Sequence, residues 1–173
     1  MPPPFHVAIA SELAAAFRAH EVEYMLIGKG GAIVLGYPGT TLDVDVFPAK
    51  SAENAERIVR ALRSIGFDIP AALEADIRAM RDFVQITGGG PFQVDLIFAP
   101  DGIASYEAAR QRCVIYRDIA VAAIEDIIAS KKASAREKDR LDLAMLEDFQ
   151  NEYARLNPKP LKSAWEITRD PPK

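Results

Sequence analysis

The chain predicts an α/β fold: a small mixed sheet flanked by helices, with a C-terminal helical segment. Three observations predict it. Segments with helical spacing of apolar residues alternate with short apolar runs of strand length. A glycine triplet, Gly88-Gly89-Gly90, separates two such runs as a hairpin signal. The last third of the chain is charged and helical in period.

Taken in order, Ile9, Leu13, Ala16, Phe17 and His20 recur at helical spacing, so a helix is expected over about residues 5 to 20. Tyr24-Met25-Leu26-Ile27 reads as a buried strand ending at Gly28, Gly31 to Leu35 as a short helix, and Gly36-Tyr37-Pro38-Gly39 as a turn. Leu42 to Phe47 is a second strand, closed by Pro48, with Leu42, Val44 and Val46 facing the core together. Ser51 is the N-cap of a helix whose stripe is Ala55, Ile58, Val59, Leu62 and Ile65, ended by Gly66. Residues 70 to 81 are ambiguous, with a loose helix around Leu73, Ile77 and Met80 as one solution. Strands are expected over Asp82 to Thr87 and Phe92 to Phe98. A smaller pair, Val114 to Tyr116 and Ile119 to Val121, turns at Arg117-Asp118. A charged stretch from Lys131 to Asp142 leads into a long helix reaching about Leu156, and Pro158 and Pro160 break it. One domain over residues 1–157 and a C-terminal tail over 158–173 are the expected organisation.

Composition sets bounds on function. At 173 residues, with 49% hydrophobic and 27% charged side chains, the chain can bury a substantial core. A net charge of -4 gives no broad reason to expect nucleic acid, although a local basic patch stays open. The single cysteine, Cys113, cannot form an internal disulfide, which fits a reducing compartment. No stretch is long and apolar enough to span a membrane, and Met1-Pro2-Pro3-Pro4 lacks the regions of a signal peptide. The expectation is a cytoplasmic protein with no membrane partner.

The chemistry concentrates on two strands. Asp43 and Asp45 project side by side from the polar face of an apolar strand, behind the glycine-rich stretch Gly28-Lys29-Gly30-Gly31. Two like charges this close repel, and a divalent cation with hard oxygen preferences relieves the repulsion. Asp95 sits on a strand of the same pattern; if the two strands pair, it joins the others in a three-carboxylate cluster able to hold two metals about 3.5–4 Å apart. Such a cluster serves in-line phosphoryl displacement. Taken alone, an Asp-x-Asp is more often solvated acid, and Lys131, Lys132, Arg136 and Lys138 can be read as a solvated helix face.

Two separated motifs carry a resemblance. Ile27-Gly28-Lys29-Gly30-Gly31, followed by Gly36-Tyr37-Pro38-Gly39-Thr40-Thr41-Leu42-Asp43-Val44-Asp45, resembles the opening signature of the DNA polymerase β-like nucleotidyltransferase superfamily. Asp126-Ile127-Ile128-Ala129-Ser130-Lys131-Lys132, then Arg136-Glu137-Lys138-Asp139-Arg140-Leu141-Asp142-Leu143, is similar to the C-terminal helical motif of its bacterial branch, which includes abortive-infection nucleotidyltransferase toxins. The resemblance covers about residues 22 to 147. It implies a nucleotidyltransferase-like fold, with Asp43, Asp45 and Asp95 as catalytic, metal-binding acids for Mg2+ or Mn2+. It implies nucleotide binding by Gly28, Lys29, Gly30, Gly31, Thr41, Lys131, Lys132 and Asp142, with a nucleoside triphosphate such as ATP as substrate. An RNA, protein or small-molecule acceptor and a cognate antitoxin are the partners it implies. Two positions depart from the pattern: Lys29 stands where relatives have a glycine or serine, unless Gly30-Gly31 is the pair in a shifted register. Gly39 stands where relatives often carry an arginine. Lys29 either stands in for that cation, from the end of the substrate opposite Lys131, or faces solvent while Gly30-Gly31 forms the active turn. Two competing readings follow: a nucleotide- or partner-binding protein with impaired catalysis, and an antibiotic-modifying nucleotidyltransferase, against which the short C-terminal region argues.

Overall fold

The computed structural model describes residues 3–134 and 137–158. Arg136, Trp165 and nearly all of the expected tail lie outside the described residues. Among the described residues, six strands form one sheet: β1 (Tyr24–Ile27), β2 (Asp43–Pro48), β3 (Phe83–Ile86), β4 (Gln93–Ile97), β5 (Val114–Tyr116) and β6 (Ile119–Val121). Their spatial order is β3-β4-β2-β1-β6-β5. β2 runs parallel to β4, and β1 parallel to β6, while the β1–β2, β3–β4 and β5–β6 pairs are antiparallel. The sheet is mixed, as the alternation of elements predicts.

Seven helices in the described residues flank it: α1 (Val7–Ala19), α2 (Gly28–Val34), α3 (Ala52–Ser64), α4 (Ala71–Arg78), α5 (Tyr106–Arg112), α6 (Ile124–Ser134) and α7 (Glu137–Leu156). α1 packs on α3 and α3 on α4, which reaches β3; α2 packs against β2 and α6, and α6 against α7. The Ser51 cap forms as its chemistry requires, the hydroxyl accepting from the Asn54 amide at 3.1 Å, and Ala55, Ile58, Val59 and Leu62 are buried. The ambiguous stretch resolves into α4. Its buried anchor is Ile77, and Met80 at φ +51° stops the helix. Arg117 and Asp118 both take positive φ, the geometry of the two-residue turn that joins β5 to β6.

Three expectations change. The strand bearing the acids begins at Asp43, and Leu42 is 60% exposed instead of core, because the alternation starts only where β2 pairs with its neighbours. α2 begins at Gly28, so the glycine stretch is the first turn of a helix and not a loop before one. α5, capped by Ser105, is a helix beyond those expected, and its seven residues give too short a period to stand out in the sequence.

Asn54 does structural work that apolar periodicity could not reveal. Its side chain is 2% exposed, accepts from the Glu23 amide, and donates to the Glu23 and Ala49 carbonyls at 2.8–2.9 Å. It ties α3 to the chain entering β1 and leaving β2. Asn54→Ala leaves three backbone groups without that partner, and a loss of about 2–4 kcal/mol is expected in urea unfolding. A change under 1 kcal/mol would contradict this role.

Candidate active site

β2 and β4 lie side by side in parallel register, with Asp45 opposite Asp95 and Asp43 opposite Gln93. Alternation sends Val44, Val46, Val94 and Leu96 into the core and leaves the acids on the other face. One carboxylate oxygen from each of Asp43, Asp45 and Asp95 lies within 4.8 Å of the others. Thr41 donates from its hydroxyl to Asp43 Oδ1 at 3.0 Å, holding one member in place.

Asp95 has the most unusual environment of the three. It is 5% exposed, and its Oδ1 is buried without a hydrogen-bond partner among the described residues. Burial first, and then the neighbouring Asp43 carboxylate, push its carboxyl up to about 7, opposed by a hydrogen bond from Gln85. A buried oxygen left without a donor, in a set of carboxylates, is the chemistry of a hard-cation site. The residues present fit such an ion.

Gly28 sets the other wall. It adopts φ +65°, and a Cβ there would stand 2.1 Å from Asp45 Oδ2. Only glycine lets the start of α2 come this close to the acid. Gly30 and Gly31 do not line the cleft. Gly31 instead brings α2 against β1, where a Cβ would meet the Leu26 carbonyl group at 3.3 Å.

The cleft has a volume of about 750 Å³, and its lining includes Gly28, Lys29, Thr41, Asp43, Asp45, Asp95, Lys131 and Asp142. The Lys29 Nζ reaches Asp142 Oδ2 at 2.9 Å, and the Lys131 Nζ lies 4.0 Å from the same oxygen and 3.2 Å from Asp139 Oδ1. Asp139 is buried and held also by the Ser134 hydroxyl at 3.0 Å. The two lysines therefore converge on one carboxylate; they do not approach the cleft from opposite ends. Lys132 differs from its neighbour: it is exposed, pairs with Glu147 at 2.7 Å, and does not line the cleft, because one step along a helix turns a side chain by about 100°.

Gly39 has a steric cause. A Cβ at that position would lie 2.4 Å from the ring of Tyr37, which is buried and packs edge-on against Phe149 of α7. An arginine cannot occupy this place without moving that ring.

Two solved structures similar to this chain are described as nucleotidyltransferases. The lincosamide antibiotic adenylyltransferase LnuA, in its lincomycin-bound crystal structure, superposes with a TM-score of 0.61 at 16% identity, over 84% of this chain and 98% of that one. The fold is nucleotidyltransferase-like. A Thermotoga maritima protein, described provisionally as a nucleotidyltransferase, aligns at 14% identity over 88% of this chain and 93% of its own, with a TM-score of 0.44. No family model matches the sequence, and no curated protein matches it.

Two predictions follow from the floor of the cleft. Asp95 titrates above its unfolded value, so its contribution to stability is complete below about pH 4 and lost as pH rises through about 7. In EDTA, melting temperature should fall over that window, Mg2+ should raise it more at pH 8 than at pH 5.5, and Asp95→Asn should remove both effects. An equal Mg2+ effect at the two pH values would contradict the assignment. Gly28→Ala adds a methyl group where Asp45 already stands, so cation binding measured by calorimetry should weaken at least tenfold. Unchanged binding would show that the approach of α2 is not needed.

Proposed function

We propose that the protein transfers a nucleoside monophosphate from a nucleoside triphosphate to an acceptor hydroxyl, releasing pyrophosphate. One observation carries this reading: three convergent carboxylates and two lysines line a single cleft, on a nucleotidyltransferase-like fold.

Asp43, Asp45 and Asp95 would hold Mg2+ or Mn2+, which when bound supplies positive charge to the reacting phosphate and lowers the pKa of the attacking hydroxyl. Lys29 and Lys131 supply the remaining cations. Each is charge-paired in the cleft, and phosphate oxygens would take over contacts now made to Asp142. Asp139 holds Lys131 from the buried side and keeps its ammonium in place while that exchange occurs. The amide-bearing turn at Gly28 lets the triphosphate lie close to the backbone. In the reaction the acceptor oxygen bonds to the α-phosphorus, and the bond from that phosphorus to its bridging oxygen breaks. The electron pair leaves with pyrophosphate, and the hydroxyl proton passes to a carboxylate or to solvent. No covalent intermediate on the protein is required; positioning and charge suffice.

Lys29 takes the role of a cation that Gly39 cannot supply, since Tyr37 fills the space beside it. A second reading, modification of an antibiotic, is supported by LnuA, a lincosamide adenylyltransferase of which this chain covers nearly the whole length.

The lysines give the sharpest test. Lys29→Ala should weaken triphosphate binding by about 1.5–3 kcal/mol, the range of a charged hydrogen bond. Lys132→Ala should leave it within about 0.5 kcal/mol, as a surface substitution does. Calorimetry with Mg2+ and a non-hydrolysable triphosphate decides. Equal losses for the two variants would remove the assignment of Lys29.

A further inference from the structure

The cleft has two chemically different ends. One carries Lys29 and Lys131, paired with Asp142 and Asp139; the other lies at the sheet edge, where Asp82, Phe83, Ile97, Pro100 and Asp101 line it and, among the described residues, no basic residue does. β3 is the edge strand and pairs with β4 in a register that sets Gln85 opposite Asp95 and Phe83 opposite Ile97. Strand alternation therefore continues the face of the acids outward into an apolar step, Ile97 with Phe83. Phe83 is 53% exposed, which is unusual for a large aromatic residue on a strand. Asp82 and Asp101 are both exposed beside it, and Asp82 has only a loose contact with Lys50 at 3.9 Å. Asp95, a cleft residue with an unpartnered buried oxygen, marks the boundary between the two ends.

In-line displacement assigns the ends. The attacking oxygen and the leaving oxygen lie on opposite sides of the phosphorus. If pyrophosphate leaves toward Lys29 and Lys131, the acceptor must enter from the β3 edge. We propose that this edge is the acceptor subsite, and that it takes a small organic cation bearing a hydroxyl group and an apolar or aromatic portion. This inference rests on the nucleotidyl-transfer reading and narrows its acceptor. Asp82 and Asp101 favour an ammonium group, and the Phe83 ring adds apolar area and a cation–π surface. The same two carboxylates repel a phosphate backbone, so the subsite disfavours RNA.

The test compares two probes of similar size, N-benzylethanolamine, a cation, and 2-benzyloxyethanol, which is neutral. Each is titrated into 15N-labelled full-length protein holding Mg2+ and a non-hydrolysable triphosphate, and followed by amide shifts. The cation should bind at least fivefold tighter than the neutral probe and shift Asp82, Phe83 and Asp101. In the Asp82→Asn/Asp101→Asn protein the preference should fall below twofold. Phe83→Ala should weaken both probes. Equal affinities, absence of binding, shifts elsewhere on the surface, or a short RNA oligonucleotide displacing the cation would each overturn the proposal. The triphosphate shifts at Gly28, Lys29 and Lys131 report separately. Their absence would sink the nucleotidyl-transfer reading, whereas their presence with no cation preference would sink the acceptor assignment alone.

Discussion

The site depends on one constraint: Asp45 and Asp95 face each other across neighbouring parallel strands, with Asp43 beside them. Three carboxylate oxygens within 4.8 Å are a like-charge cluster on a sheet floor that is partly closed to water. At an effective dielectric of 20, two unit charges at this separation repel by roughly 3 kcal/mol. The fold cannot relieve this by turning a side chain away, because alternation fixes which face each acid occupies and the opposite face is core. Burial, and then the Asp43 carboxylate, push the Asp95 carboxyl up to about 7. A divalent cation is the alternative way to settle the same charge, and the proposed reaction on phosphate would make use of it.

The surrounding features answer to that floor. Gly28 lacks a side chain because Asp45 stands where a Cβ would be. Lys29 and Lys131 pair with acids on α7. Asp142 makes the contacts to both lysines that, under the proposed reading, phosphate oxygens would take over. The Tyr37 ring, packed on α7, both excludes a side chain at Gly39 and helps dock the helix that carries Asp142. Along the cleft, lysines paired with Asp139 and Asp142 stand at one end, and exposed carboxylates beside an exposed aromatic residue at the other.

Much of this was legible in the sequence, for identifiable reasons. Strand alternation places Asp43, Asp45 and Asp95 on polar faces without any knowledge of packing, and parallel pairing of β2 with β4 then brings them together. The hairpin through Gly88–Gly90 and the turn at Arg117-Asp118 were marked by turn chemistry, and α3 by its cap and stripe. Other features are fixed by long-range contacts that no local pattern carries. Lys131 and Lys132 are equal as letters in a charge run; only the packing of α6 against α7 decides that one enters the cleft and the other meets Glu147. Likewise, Leu42 has the composition of a core residue and lies outside the paired strand. Asn54 has the composition of a surface residue and is buried. The glycine stretch was legible as a motif. Its division of labour was not, since Gly28 serves the cleft and Gly31 serves helix packing.

The most direct test of the central claim is a Mn2+ titration followed by electron paramagnetic resonance, in the presence of a non-hydrolysable triphosphate. The account predicts that the free-ion signal is quenched at one or two Mn2+ per chain, and that Asp45→Asn abolishes the quenching while far-UV circular dichroism stays unchanged. A Mn2+ signal that remains that of the free ion, or an Asp45→Asn protein that binds Mn2+ as the natural sequence does, would contradict it.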